Sequence, residues 1–146
     1  MLSVVIPAHN EEGSIAPTLE ALYAKLSTEG IAHELLVVND HSRDRTAEVL
    51  AELQRGITTL RVVENHGPGG YGYAVRCGLA NFKGDRVAVV MADLSDSPDD
   101  LVKFNRKMDE GFDCVFGTRW SMGGKVYDYP LVTVSYTHLD VYKRQA

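Results

Sequence analysis

Short apolar runs alternate along the chain with segments whose apolar residues recur every three or four positions. The runs are typical of buried β-strands, and the spaced segments are typical of helices with one apolar face. The predicted strands cover residues 3–6, 34–38, 58–63, 86–91 and 113–117. The predicted face of the first helix consists of Ile15, Leu19, Leu22 and Leu26. Regular alternation of strand and helix predicts an α/β fold with a mostly parallel sheet and helices on both faces.

Polar side chains follow four of the predicted strands, at residues 9–12, 39–40, 65–66 and 93. Ligands of such sheets bind beyond the carboxyl ends of the strands, so we expect these clusters to gather at one edge. Asp93 follows the most apolar strand, and an acid held rigidly there often binds a hard cation. Other acids are interpreted as ordinary surface or helix-terminus charges, namely Glu12, Asp44, Asp99 and Asp100.

Composition narrows the class of protein. The chain is 45% hydrophobic and 24% charged, which argues against disorder, and its net charge of -5 argues against general affinity for nucleic acid. Cys77 and Cys114 lack the spacing of a metal site and are interpreted as reduced thiols of the core. No apolar run has the length of a membrane span, so we expect a soluble, cytoplasmic domain.

The final segment, residues 135–146, has no clear periodicity and no element to complete. It resembles the translated adapter tails found on truncated environmental sequences. We therefore expect a non-native tail and leave it out of the functional interpretation.

Several motifs in order resemble family-2 glycosyltransferases of the GT-A fold, in particular dolichol-phosphate-mannosyltransferase-like members. They are LSVVIPAHNEE (2–12), VVNDHSRDRT (37–46), NHGPGGYG (65–72), VMADLSD (90–96) and GTRW (117–120) followed by Gly123 and Gly124. The resemblance covers about residues 2–134. It implies that residues 1–134 form the nucleotide-sugar-binding part of a GT-A domain that is C-terminally truncated.

The resemblance also implies a reaction and its residues. A sugar would pass with inversion from a GDP- or UDP-sugar to an acceptor such as a polyprenyl (dolichyl-type) phosphate at the cytoplasmic face of a membrane. Asp93 and Arg119 would act in catalysis, and Asp93, Ser95 and Asp96 would bind Mg²⁺ or Mn²⁺. The residues implied to bind the nucleotide sugar are Pro7, Ala8, His9, Glu11, Val38, Asp40, Ala92, Asp93 and Arg119.

Two positions depart from the family pattern. Met91 stands where the family commonly has the first acid of an Asp-Ala-Asp triplet, and Asn39 replaces a frequent aspartate. Metal binding would therefore rest mainly on Asp93. The loss of the first acid leaves open a second hypothesis, that the protein is a paralogue that binds a sugar nucleotide without catalysis.

A third hypothesis, an NAD(P)-binding oxidoreductase, comes from GPGGYG (67–72), which satisfies the G-x-G-x-x-G pattern of that class. Pro68 removes one backbone N–H from that turn, and the turn follows the third strand instead of the first. We therefore expect it to shape a cleft without binding NAD. His9 and His66 are interpreted as loop histidines rather than catalytic groups.

Overall fold

The computed structural model describes residues 1–117 and the backbone of residues 140–143. Strands and helices alternate as the sequence predicts, up to the last two strands. The elements are β1 (Leu2–Ala8), α1 (Ile15–Thr28), β2 (His33–Asn39), α2 (Thr46–Leu53), β3 (Leu60–Glu64), α3 (Tyr71–Asn81), β4 (Arg86–Val89), α4 (Pro98–Asp109), β5 (Cys114–Phe116) and β6 (Asp140–Lys143).

The strands form one sheet in the order β3-β2-β1-β4-β6-β5. The first four strands are parallel, with Val4 opposite Leu35 on one side and Ala88 on the other. β6 is antiparallel to both β4 and β5. The prediction of a mostly parallel sheet is therefore confirmed.

Helices cover both faces of the sheet, which confirms the predicted layers. Ile15, Leu19, Leu22 and Leu26 are fully buried in the larger core, where α1 lies with α2 and α4. On the opposite face α3 packs on β1 and β2, over Val5. Successive residues of β1 point to the two cores in turn, which explains why its sequence is apolar except at Ser3.

Several boundaries differ from the prediction. β1 continues through Pro7 to Ala8. β4 ends at Val89 instead of residue 91, because the backbone N–H of Met91 turns away to the carboxylate of Asp96 at 2.9 Å. Ser14 occupies the N-cap of α1, but its hydroxyl bonds Glu11 rather than a helix N–H.

Two other expectations also need adjustment. Cys77 and Cys114 are both only half-buried, whereas the sequence places them in the core. The segment 135–146 contains β6, whereas the sequence analysis expects no element there. Its non-native origin stays a prediction. No helix within the described residues combines the length and apolarity that a membrane crossing requires.

A buried carboxylate connects several segments by hydrogen bonds at the amino end of the sheet. Glu34 at the start of β2 accepts hydrogen bonds from the Ser3 hydroxyl, the Lys83 backbone N–H and the Arg61 guanidinium, each at 2.5 Å. Burial alone would raise the pKa of Glu34, but these three donors outweigh burial and hold the pKa below its ordinary value. The charge is therefore satisfied by the protein itself.

The close approach of α3 to the sheet depends on Gly78. A Cβ placed there would lie 2.3 Å from Cγ1 of Val5 and 3.3 Å from Cγ2 of Val38. We expect Gly78→Ala to lower the free energy of unfolding by about 1–3 kcal/mol through overpacking. Gly72→Ala on the same helix is the matched control, because nothing lies within 4 Å of its Cβ position. It should be neutral or stabilising by up to about 1 kcal/mol. Urea unfolding measures both, and equal stabilities would contradict the close approach.

Candidate functional site

The loops that follow β1, β2 and β3 are joined by hydrogen bonds at the carboxyl edge of the sheet. The backbone N–H of Asn10 donates to the Ser42 hydroxyl at 3.0 Å, and the N–H of Arg43 donates to Oδ1 of Asn10 at 2.8 Å. The N–H of Asn65 donates to the carbonyl of Asn39 at 3.0 Å. The structure therefore brings together three of the four predicted polar clusters.

The carboxylate of Asp40 lies at the centre of these loops. Its side chain is only 5% exposed. Oδ1 accepts a hydrogen bond from Nδ2 of Asn65 and Oδ2 accepts one from the N–H of Gly70, both at 2.7 Å. Each carboxylate oxygen thus has a partner from the loop that follows β3.

Asp40 is ionised at neutral pH. Burial acts to raise the pKa of Asp40, but the bonds from Asn65 and Gly70 and the nearby His41 and His9 rings outweigh it, so the pKa lies below its ordinary value. Nε2 of His41 is 3.9 Å from Oδ1 of Asp40. The site therefore contains a buried negative charge that protein donors stabilise.

Two histidines make specific contacts within the loops. Nδ1 of His9 donates to the carbonyl of Asp40, and Nε2 of His9 lies 3.0 Å from Nδ2 of Asn10. Nε2 of His41 donates to the carbonyl of Gly67 at 2.9 Å. The interpretation of His9 as a loop histidine agrees with these contacts, and His66 is exposed.

A cleft of about 590 Å³ opens beside Asp40, a volume typical of small-molecule sites. Its lining residues are His9, Asp40, His41, Arg43, Gly67, Gly69, Gly70 and Tyr71. His9 and Asp40 are ligand-binding residues predicted from the sequence, whereas Arg43 and His41 are not. Their position in the VVNDHSRDRT motif, directly after Asp40, is the signal that would have pointed to them.

Backbone strain concentrates in the loops at this edge. Asn10, His41 and Leu94 have φ of 57°, 57° and 59° and follow β1, β2 and β4 respectively. Asn and His tolerate this left-handed conformation better than most residues, whereas Leu rarely adopts it. Such outliers cluster at ligand sites, where the surrounding structure enforces them.

Asp93 lies in the loop after β4, four residues beyond the last strand residue. The Ser95 hydroxyl and the Ser95 backbone N–H donate to Asp93, and they hold its pKa below the ordinary value despite partial burial. The carbonyl of Ala92 accepts from the Thr18 hydroxyl of α1 at 2.8 Å, which anchors the loop. Asp93 is thus an exposed, ionised side chain on a fixed backbone.

The donors near Asp93 fit one class of metal site. Within residues 1–117, no three His, Cys, Asp or Glu side chains come together as a metal-binding group. Asp93, Ser95 and Asp96 offer hard oxygen donors from a single loop. Mg²⁺ is commonly held by one or two carboxylates together with substrate phosphates, so this donor set suits a cation shared with a bound diphosphate.

The other predicted ligand-binding residues have varied surroundings. Pro7 is half-buried, and Ala8, Val38 and Ala92 are buried, so Val38 would reach a ligand only through backbone atoms. The carboxylate of Glu11 accepts a hydrogen bond from the Ser14 hydroxyl. Arg119 lies outside the described residues. The ligand contacts implied for these residues stay predictions.

Backbone N–H groups of the glycine-rich turn already donate to side chains of the protein, which disfavours their binding to a dinucleotide phosphate. The N–H of Gly67 donates to Oδ1 of Asn65 at 3.0 Å, and the N–H of Gly70 donates to the Asp40 carboxylate. Pro68 has no N–H. The turn also follows β3 and surrounds a negative charge. These contacts support the expectation that it forms a wall of the cleft.

The sequence is similar to known glycosyltransferases. The profile described as Glycosyl transferase family 2 matches residues 3–145. The undecaprenyl-phosphate 4-deoxy-4-formamido-L-arabinose transferase of Edwardsiella ictaluri is 34% identical over 116 residues, which are 78% of this chain and 35% of that protein. The chain spans 35–40% of the length of the curated relatives it matches.

Two solved structures share the fold. Staphylococcus aureus TarS in complex with UDP-GlcNAc aligns with a TM-score of 0.59 at 29% identity, over 77% of this chain and 32% of that chain. Glucosyl-3-phosphoglycerate synthase from Mycobacterium tuberculosis, in complex with Mn²⁺, UDP and phosphoglyceric acid, aligns with a TM-score of 0.60 at 27% identity. That alignment covers 78% of this chain and 41% of that chain.

The charge of Asp40 should contribute to stability in a pH-dependent way. Because its folded pKa is lowered, the contribution is present above the unfolded pKa of about 3.9 and is lost as the pH falls through the folded pKa. We expect Asp40→Asn to lower the free energy of unfolding by about 1–3 kcal/mol at pH 7, since the amide turns an N–H toward an existing donor. The difference from wild type should shrink below about pH 4.

Chemical denaturation at pH 7 and pH 3 measures this effect. Asp100→Asn is the control, because Asp100 forms an exposed pair with Lys103 and should contribute less than about 1 kcal/mol. An Asp40→Asn loss that is equal at the two pH values would show that the carboxylate charge has no part in stability.

Proposed function

The chain belongs to glycosyl transferase family 2, and on that premise we propose that the carboxyl edge of its sheet binds a nucleotide-diphosphate sugar for glycosyl transfer. One observation carries the proposal: this edge of the GT-A sheet holds both a ligand-sized cleft beside Asp40 and the ionised, exposed Asp93 after β4. The complexes of TarS with UDP-GlcNAc and of glucosyl-3-phosphoglycerate synthase with UDP support a nucleotide ligand.

The nucleoside would occupy the cleft at the ends of β1 and β2. His9, His41 and Arg43 supply polar and cationic groups there, and Asp40 supplies a buried charge that orders the wall. Arg43 would offer hydrogen-bond donors to the nucleotide, because an arginine side chain presents five N–H groups and stays charged. UDP, which is present as such or as UDP-GlcNAc in the complexes of the two similar structures, and GDP both stay candidates for the nucleotide.

The diphosphate would lie toward Asp93. Asp93, with Ser95 and Asp96, would hold Mg²⁺ or Mn²⁺, in line with the Mn²⁺ in the glucosyl-3-phosphoglycerate synthase complex. A divalent cation bound there would offset the negative charge of the departing nucleoside diphosphate. Arg119 is proposed to donate to a phosphate oxygen, a task that suits its planar, permanent charge.

The acceptor is proposed to be a polyprenyl phosphate at the cytoplasmic face of a membrane. The name of the Edwardsiella relative, an undecaprenyl-phosphate transferase, supports this class. A phosphate nucleophile is already ionised at neutral pH, so it needs no protein base. Its oxygen would bond to the anomeric carbon from the face opposite the nucleoside diphosphate while the bond to that leaving group breaks, and this single displacement inverts the carbon. A hydroxyl acceptor would instead need a carboxylate base.

Met91 favours one alternative, a sugar-nucleotide-binding protein without transferase activity. Met91 replaces an acid of the family triplet, so its side chain offers no carboxylate to a metal. Its backbone N–H donates to the carboxylate of Asp96. Such a protein would bind the donor and transfer nothing. Donor binding alone therefore leaves both functions possible, and an assay of sugar transfer to undecaprenyl phosphate separates them.

The nucleotide class is tested by calorimetric titration with UDP, GDP, NADH and NADPH in the presence of Mg²⁺. We expect UDP or GDP to bind and the dinucleotides not to bind, because the turn donors at Gly67 and Gly70 are already engaged. Micromolar binding of NADH or NADPH without UDP or GDP binding would overturn the proposed function.

The metal site is tested by Asp93→Asn, which keeps size and removes charge. In the presence of UDP or GDP, we expect Mn²⁺ affinity to fall by at least about tenfold by electron paramagnetic resonance. In a transfer assay, we expect turnover to fall on the order of a thousandfold. Asp100→Asn, an exposed acid paired with Lys103, should leave both unchanged.

Asp96→Asn shows whether the loop supplies a second metal ligand. A loss comparable to that of Asp93→Asn would make Asp96 a ligand, and a much smaller loss would leave it as the acceptor of the Met91 N–H. If Asp93→Asn keeps Mn²⁺-dependent turnover within about threefold of wild type, the cation is held elsewhere.

A further inference from the structure

Three side chains hold the glycine turn at residues 67–70 in place. Asn65 accepts the N–H of Gly67 and donates to the carbonyl of Pro68 at 2.8 Å. His41 donates to the carbonyl of Gly67, and Asp40 accepts the N–H of Gly70. The turn that forms one wall of the cleft is therefore fixed by groups from the ends of β2 and β3.

Asn65 links this turn to Asp40. Its side chain donates one N–H to Oδ1 of Asp40 and the other to Pro68, and its oxygen accepts from Gly67. Asn65 is 7% exposed and is not among the residues that line the cleft. An asparagine side chain combines two N–H donors with one acceptor, and an aspartate of the same shape lacks both donors.

We propose that Asn65 is a positioning residue for nucleotide binding, which joins the Asp40 carboxylate and the glycine turn into one preorganised wall of the cleft. The inference rests on the proposed function. Without Asn65 the carboxylate loses a donor and the turn loses two bonds. The wall then has to be ordered when the ligand binds, and that ordering weakens affinity.

Asn65→Asp is the sharpest test, because it keeps the shape and places a second carboxylate against Asp40. At pH 8 both groups are ionised and repel, so we expect UDP and GDP to bind about 10- to 100-fold more weakly than to wild type. Toward pH 5 the pair shares one proton, which restores a donor, and affinity should recover toward the wild-type value at that pH.

The pH comparison has to account for the other titratable groups. His9 and His41 face Asp40, and Glu64 and His66 flank Asn65 in the chain. All four are present in wild type, so the wild-type pH profile is the baseline. Asn105→Asp on α4 is the matched control. Asn105 is 8% exposed, accepts from Arg86 and does not line the cleft, so its profile should follow wild type.

A second readout does not depend on the nucleotide. The amides of Gly67 and Gly70 are hydrogen-bonded to Asn65 and Asp40, and we expect Asn65→Asp to speed their hydrogen exchange at pH 8. If wild type binds neither UDP nor GDP, the proposed function fails, and the exchange rates still decide whether Asn65 orders the turn.

The inference is overturned if Asn65→Asp binds UDP and GDP like wild type at pH 8, or if its loss of affinity is the same at pH 5. Should Asn65→Asp fail to fold, Asn65→Ser replaces it. A serine offers one hydroxyl donor in place of two N–H groups, so affinity should fall by several-fold. Wild-type affinity in Asn65→Ser would equally overturn the inference.

Discussion

The candidate site depends on the hydrogen bonds that stabilise the buried carboxylate of Asp40. Burying a charge costs several kcal/mol unless hydrogen bonds replace its hydration. Asn65 and Gly70 provide that replacement, and in doing so they draw the glycine turn over the end of β2. Gly70 is also the N-cap of α3 with φ of 126°, which only glycine adopts readily. The same contact therefore sets both the cleft wall and the start of α3.

Three carboxylates of the sheet differ in what surrounds them. The carboxylate of Glu34 at the amino end accepts hydrogen bonds from Ser3, Lys83 and Arg61, and it holds that end of the sheet together. Asp40 is satisfied by loop donors beside the cleft, and it orders the wall. Asp93 is exposed, and the described contacts that stabilise it come from Ser95 within its own loop. Of the three, Asp93 is the charge that a cation could share at low desolvation cost.

Much of the fold could be predicted because the signals are local. The four apolar residues that the sequence places on one face of the first helix are buried in α1, as their spacing requires. The errors arise where a hydrogen bond redirects the backbone. β4 is shorter than its apolar run because the Met91 N–H turns to the carboxylate of Asp96. Apolar periodicity contains no information about such bonds.

The alternating α/β order, the two apolar layers, the polar edge and the family could all be predicted from the sequence, because each depends on motifs whose residues are close together in the chain. The hydrogen-bond partners at that edge, in contrast, follow from contacts between separate loops of the folded chain. The partners of Asp40 lie 25 and 30 residues away, and Arg43 and His41 belong to the cleft because the turn after β3 folds over them. Hydrogen bonds depend on distances of about 3 Å, and residue spacing along the chain does not specify such distances between separate loops.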